Sequence, residues 1–178
     1  MKIVIIGFSG SGKSTLAKQL GMYYNLDVLH LDSVHFLPNW VERSTEDMNK
    51  DVISFLDTHK NWVIEGNYTK LDNRRFLEAD IVIYLAFNRF ICLFRVIKRY
   101  FNNRNKTRAD MAFGCHEKLD LPFLWWVFFK GRYRSRKKKY QAIARNASRG
   151  YILRNKRQVK RFLKEIGADV NEVSMQSK

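Results

Sequence analysis

Residues 7–15 read GFSGSGKST and stand directly behind a short β-branched run, KIVII at residues 2–6. Residues 7–14 match GxxxxGK followed by Ser, the P-loop pattern, and the context it requires, a strand before and a helix after, is met. Each residue type has a physical reason. Gly7, Gly10 and Gly12 let backbone amides turn inward around phosphate oxygens, and Ser9, Ser11 and Thr15 belong to the same cradle. The helix that follows presents its positive dipole end to the same place. Lys13 is of a length to reach the β and γ oxygens, and the Ser14 hydroxyl suits magnesium. The expected ligand is a nucleoside triphosphate, ATP, with Mg2+.

The run KIVII lacks polar alternation, as a strand buried on both faces does. Lys13 to Tyr24 carries Leu16, Leu20 and Tyr23 at helical spacing. DVLHLD at 27–32 predicts a second strand that ends in an acid. Ser44 to Lys60 predicts a helix, with Ser44 and Asp47 spaced as in a capping box and Met48, Val52, Phe55 and Leu56 on one face. WVIE at 62–65 and ADIVIYLAF at 79–87 predict strands three and four, and Asn88 is placed to cap the helix through ICLFRVIKRYF. Residues 104–114 read as irregular, Glu117 to Lys130 and Ser135 to Asn146 as helices, and GYIL at 150–153 as a fifth strand before a last helix. This alternation implies an α/β fold with one parallel sheet and helices on both faces. A single domain is expected over residues 1–170, with a flexible tail at 171–178.

The net charge is +16, from 33 Lys and Arg against 17 Asp and Glu. Residues 121–164 hold fifteen basic side chains and no acidic one, so the excess is concentrated there. KGRYRSRKKKY at 130–140 has the aromatic interleaving of a nucleic-acid face, while a solvated basic surface, attraction of polyanionic substrates, or contact with acidic lipid or protein would look the same in sequence. The aromatic block FLWWVFF at 123–129 reads as core or as a subunit contact. No apolar run of membrane-spanning length occurs, and the two cysteines, Cys92 and Cys115, have neither disulfide-framework nor metal-ligand spacing, so a reduced, cytoplasmic protein is expected.

Four segments, GFSGSGKST, HLDSVHFLPNW, WVIEGNY and TRADMAFGCHEKLDLPFLWW, in that order, resemble the family labelled DNA topology modulation protein, a branch of the adenylate-kinase-like P-loop proteins. The resemblance runs to about residue 165 and implies a five-stranded sheet in the order 2-3-1-4-5, as in small kinases for nucleotides, shikimate and gluconate. It also implies a small lid at about 100–116. Arg95 and Arg99, four apart on one helix, resemble the arginines that open the lid of adenylate kinases, one stacking on adenine and the other meeting phosphates; Arg104 and Arg108 follow as lid arginines would. Glu65 before Gly66 resembles the Asp-Gly of adenylate kinases, a magnesium position reached through water, with the longer Glu as a departure.

Asp32 falls where ligands of open α/β sheets bind, at the carboxyl ends of strands, and is suited to accept an acceptor's proton, to orient magnesium, or to cap a turn. His30 and His35 read as packed residues rather than bases. Phe36 and Trp40 are candidates either to stack on a ring or to pack in the core, Arg43 to meet a phosphate, and Asn67 and Tyr68 to face the same cleft. The chemistry expected of this set is ATP- and magnesium-dependent phosphoryl transfer to a nucleotide or small molecule. A nucleic-acid-binding ATPase and a non-catalytic nucleotide sensor are the rival readings.

Overall fold

The computed structural model describes residues 1–103, 111, 112, 114, 115 and 119–168. Its frame is a five-stranded parallel sheet centred on β1 (Lys2–Gly7), which pairs on one side with β5 (Trp62–Glu65) and on the other with β6 (Ile81–Leu85). Outside these lie β2 (Asp27–His30) and β7 (Gly150–Leu153), giving the order β2-β5-β1-β6-β7. A small antiparallel hairpin, β3 (Phe36–Leu37) and β4 (Val41–Glu42), lies outside this sheet. Counting only the parallel strands, the order is the expected 2-3-1-4-5.

The central strand shows why KIVII lacks alternation. Ile3 and Ile5 point into a cluster with Leu16 and Leu20 of α1 (Lys13–Tyr24) and Phe162 of α8 (Lys156–Glu165). Val4 and Ile6 point the other way, onto Met48, Val52 and Leu56 of α3 (Thr45–Thr58) and Tyr140 of α7 (Arg134–Asn146). All four β1 side chains have no exposed surface. Each such side chain stabilises the fold by about 1.5–3 kcal/mol relative to an exposed one.

The predicted caps are present. Ser44 Oγ accepts the Asp47 amide at 3.0 Å and donates to the Asp47 carboxylate at 2.9 Å. Asn88 accepts the Phe90 amide at 2.9 Å at the start of α5 (Arg89–Asn102). The expected helix from Glu117 begins at Leu121 instead: α6 spans Leu121–Phe128, with Asp120 accepting the Phe123 amide at 2.7 Å and Pro122 in the first turn. The short helix α4 (Arg74–Leu77) and the β3–β4 hairpin have no counterpart among the elements the sequence predicts.

The second strand is shorter than DVLHLD suggests. Its ladder with β5 ends at His30 opposite Glu65; the next residue of the partner, Gly66, stands at φ +141° with its amide still bonded to Ile5 of β1. A β-carbon on Gly66 would stand 2.7 Å from the Leu31 side chain, so the two segments meet too closely for any other residue. The chain therefore coils at once into α2 (Leu31–His35), closed by Ser33 Oγ donating to the His30 carbonyl at 2.7 Å. Asp32 sits in the first turn of this helix rather than at the end of a strand.

The block FLWWVFF is divided. Val127 is buried, whereas Trp125 and Phe129 are exposed, as are Leu121 before the block and Phe90 and Phe94 on the neighbouring α5. Arg104, Arg108 and the expected tail at 171–178 lie outside the described residues, as does much of the expected lid. Among the described residues no helix is long and apolar enough to cross a membrane.

Candidate phosphotransfer site

The loop from Phe8 to Gly12 leaves β1 and re-enters the helix at Lys13. Gly10 has φ +74°, and a β-carbon there would stand 2.4 Å from the Cys92 carbonyl of α5, so glycine is required both by conformation and by space. Gly12 caps α1 at φ +96° without a side-chain acceptor. The first amides of α1 thus keep their donors for an anion, which the helix dipole also favours. Gly7 lies beneath the loop, against Leu85 and Ser11, and its amide donates to Asn67 Oδ1 at 2.9 Å. It shapes the cradle rather than lining it.

Behind the loop, Ser14 Oγ donates to Glu65 Oε1 at 2.9 Å, and His30 Nδ1 meets the same oxygen at 3.0 Å. Glu65 is 1% exposed. Burial alone would raise its pKa, but the His30 hydrogen bond, the positive charge of Lys13 and the Ser14 hydroxyl hold the carboxyl below its ordinary value. The other carboxylate oxygen, Oε2, is buried with no hydrogen-bond partner among the described residues. A hydroxyl beside a buried carboxylate, next to a phosphate cradle, is the hard oxygen donor set that magnesium takes together with substrate phosphates. The residues present therefore fit that ion, and among the described residues no group of three or more His, Cys, Asp or Glu offers a metal cage elsewhere.

Two cavities open beside the loop. The first, of about 700 Å³, runs over the loop from Ser9 to Thr15 toward Arg95 and toward Lys156 and Lys160 of α8. Arg95 donates from Nη1 to the Ser11 carbonyl at 2.9 Å, and its guanidinium lies 4.6 Å over the Phe87 ring. The arginine thus clamps the loop while facing the cavity. Lys156 and Lys160, four apart on α8, were not singled out in the sequence, where they merge with the surrounding basic run.

The second cavity, of about 770 Å³, is lined by α2, the hairpin, the loop after β5, α6 and α7. Phe36 and Trp40 meet edge to face at 5.1 Å, and Phe123 and Trp126 stack at 6.3 Å. His35 packs between Phe36 at 4.5 Å and Tyr68 at 4.8 Å, the packed role expected of it. His30 is likewise packed, although against Glu65. Asn67 and Tyr68 face this cavity as anticipated. Arg43 does not line it: its guanidinium is bound to Asp51 at 2.6 Å and to the Val34 carbonyl at 3.0 Å.

Ser9, Lys13, Asp32 and Arg99 line both cavities. Of these, Asp32 is the most constrained. Tyr68 donates its hydroxyl to Asp32 Oδ1 at 2.8 Å. Burial, and then the Asp32 charge, push the Tyr68 pKa far up, so the phenol remains a donor to Asp32. Tyr68 is in turn anchored from beneath by Arg75, fully buried, which donates to its carbonyl at 2.7 Å. Burial draws the Arg75 pKa down to about 10.

The basic stretch is not uniform. Arg132 is 6% exposed; it donates to the carbonyls of Val127 at 3.0 Å and Phe87 at 2.9 Å and lies 4.1 Å over the Phe8 ring. Neither Arg75 nor Arg132 is signalled by the sequence, since a buried arginine looks like any other until the elements around it are placed.

No protein-family model matches the chain. The chain is similar in structure to shikimate kinase from Acinetobacter baumannii in complex with shikimate, at TM-score 0.60 and 15% identity over 95% of this chain and 94% of that one. It is also similar to TT1252 from Thermus thermophilus, at TM-score 0.56 and 15% identity over 96% and 97%. Deoxyadenosine kinase from M. mycoides with bound dATP matches at TM-score 0.54 and 18% identity over 94% of this chain and all of that one. With its phosphate loop, its parallel sheet and its helices on both faces, the chain has the fold of the P-loop kinases.

Proposed function

We propose that the chain is an ATP-dependent phosphotransferase of the adenylate-kinase-like group, acting on a nucleoside, nucleotide or small alcohol. The observation that carries this reading is the junction of the two cavities along Ser9, Lys13, Asp32 and Arg99. A nucleotide sensor needs only the first cavity. The four sequence segments quoted above support membership in the DNA topology modulation family, whose name this reading takes as a label and not as a mechanism.

In this reading the loop amides and Lys13 hold the triphosphate with its γ-phosphate at the junction. Magnesium, held by Ser14 and through Glu65, would supply charge neutralisation on the phosphate oxygens. His30 keeps Glu65 aimed at Ser14. Arg99 balances charge on the transferring group, and the resemblance assigns the same task to Arg104 and Arg108, which lie outside the described residues. Where the acceptor is an alcohol, its oxygen forms the new bond to the γ-phosphorus, the bond to the ADP oxygen breaks, and the proton passes to Asp32.

The test is a panel of nucleosides, nucleotides and small alcohols with Mg-ATP, in which ADP and phosphorylated acceptor are counted separately by mass spectrometry. Equal amounts of the two are expected for at least one acceptor. If none is phosphorylated while DNA in low salt raises ADP release, the rival ATPase reading replaces this one.

A further inference from the structure

The second cavity carries more information than its junction with the first. Along the wall it does not share, α6 contributes Phe123 and Trp126 and α7 contributes Ser135, Arg136 and Lys139. Arg136 lies 5.7 Å over the Trp126 ring and reaches the Gly131 carbonyl only at 3.5 Å. Among the described residues neither Arg136 nor Lys139 makes an ion pair. The remaining cations of this cavity, Lys13 and Arg99, are at the shared junction.

The unshared wall therefore offers planar aromatic surface beside two uncommitted positive charges. Arg136, half-buried over Trp126, is partly desolvated and offers a carboxylate or phosphate a planar pair of donors, while Lys139 adds an exposed charge beside it. The junction differs, because beside Lys13 and Arg99, which the kinase reading gives to the transferring phosphate, it presents a carboxylate. Asp32 would repel a phosphate brought there as the acceptor, yet it is a suitable partner for a hydroxyl.

We propose that the acceptor is a ring-bearing alcohol that carries its own anionic group, with the ring against Phe36, Trp40, Phe123 and Trp126, the anion on Arg136 and Lys139, and the reacting hydroxyl at Asp32. This rests on the kinase reading and narrows it: of the acceptors considered above, it selects hydroxyl over phosphate and charged over neutral. The anion is a phosphate or a carboxylate, and both suit an arginine and a lysine.

Binding tests the proposal independently of catalysis, because Trp40 and Trp126 line the cavity and report by fluorescence. The first cavity is saturated with a magnesium complex of a non-hydrolysable ATP analogue. The chain is then titrated with thymidine 3′-monophosphate against thymidine, and with 4-(hydroxymethyl)benzoate against benzyl alcohol. At least one anion is expected to bind about tenfold or more tightly than its neutral parent, as a charged hydrogen bond allows. Whichever pair shows the preference identifies the anion. The preference should fall to near unity in Arg136→Ala/Lys139→Ala and persist in Arg136→Lys; Lys139→Ala alone, at an exposed position, should reduce it without affecting folding.

Equal binding of both anions and their parents overturns the proposal, as does a preference that survives loss of both cations. Conversion of thymidine 5′-monophosphate to the diphosphate overturns its hydroxyl part and leaves the kinase reading standing. A preference for the anion with no transfer from ATP to any member of the set supports the subsite and counts against the kinase reading, so the two failures are separable.

Discussion

The two walls of the site are made differently. The wall proposed for the triphosphate is backbone: one contiguous loop whose glycines are held at positive φ, with Gly10 pressed against α5, followed by the uncapped start of α1. The wall proposed for the acceptor is side chains, brought from α2, the hairpin, the loop after β5, α6 and α7. A triphosphate presents the same oxygens whatever nucleoside bears it, so a fixed row of amides serves. An acceptor must be told from other small molecules, and that requires side chains of distinct shape and charge.

The largest effect is expected at the junction of the two walls. Asp32→Asn keeps the shape and can still accept the Tyr68 hydrogen bond, but loses the proton acceptor. Its kcat should fall by about 10²–10⁴, while affinity for an ATP analogue measured by calorimetry stays unchanged. A full-speed variant would remove Asp32 from the chemistry, and a loss of nucleotide affinity would assign it to the donor wall. The donor wall is sharpened by a smaller change. Gly10→Ala forces a β-carbon toward the Cys92 carbonyl at an unfavourable φ, a strain of about 1–3 kcal/mol. The Tm should drop by about 2–4 °C for each kcal/mol, with weaker ATP binding. Unchanged melting and nucleotide affinity would mean that the loop relaxes and its tight packing is incidental.

The same contrast explains what could be read in the sequence. The phosphate loop, the central strands and the Ser44 and Asn88 caps are local patterns, in which cause and consequence lie within a few residues. The end of β2 is not local: Leu31, where the helix begins, packs against the bare backbone of Gly66, thirty-odd residues later. For the same reason Asp32 stands in the first turn of α2 and not, as the sequence suggests, at the end of a strand. In the basic run Arg132, Arg136 and Lys160 look alike, yet one is buried under the loop, one faces the acceptor cavity and one the donor cavity. Only the packing of α6, α7 and α8 against the sheet separates them. Arg43 shows the opposite case, a residue in a suggestive place that the fold ties to Asp51.

If the two cavities form one transfer site, the γ-phosphate passes directly from the backbone wall to the side-chain wall. The stereochemistry at phosphorus measures this most directly. With an accepted alcohol and ATP made chiral at its γ-position by sulfur and oxygen isotopes, a single in-line transfer predicts inversion of configuration in the phosphorylated acceptor. Retention would indicate an intermediate on the protein and contradict direct transfer.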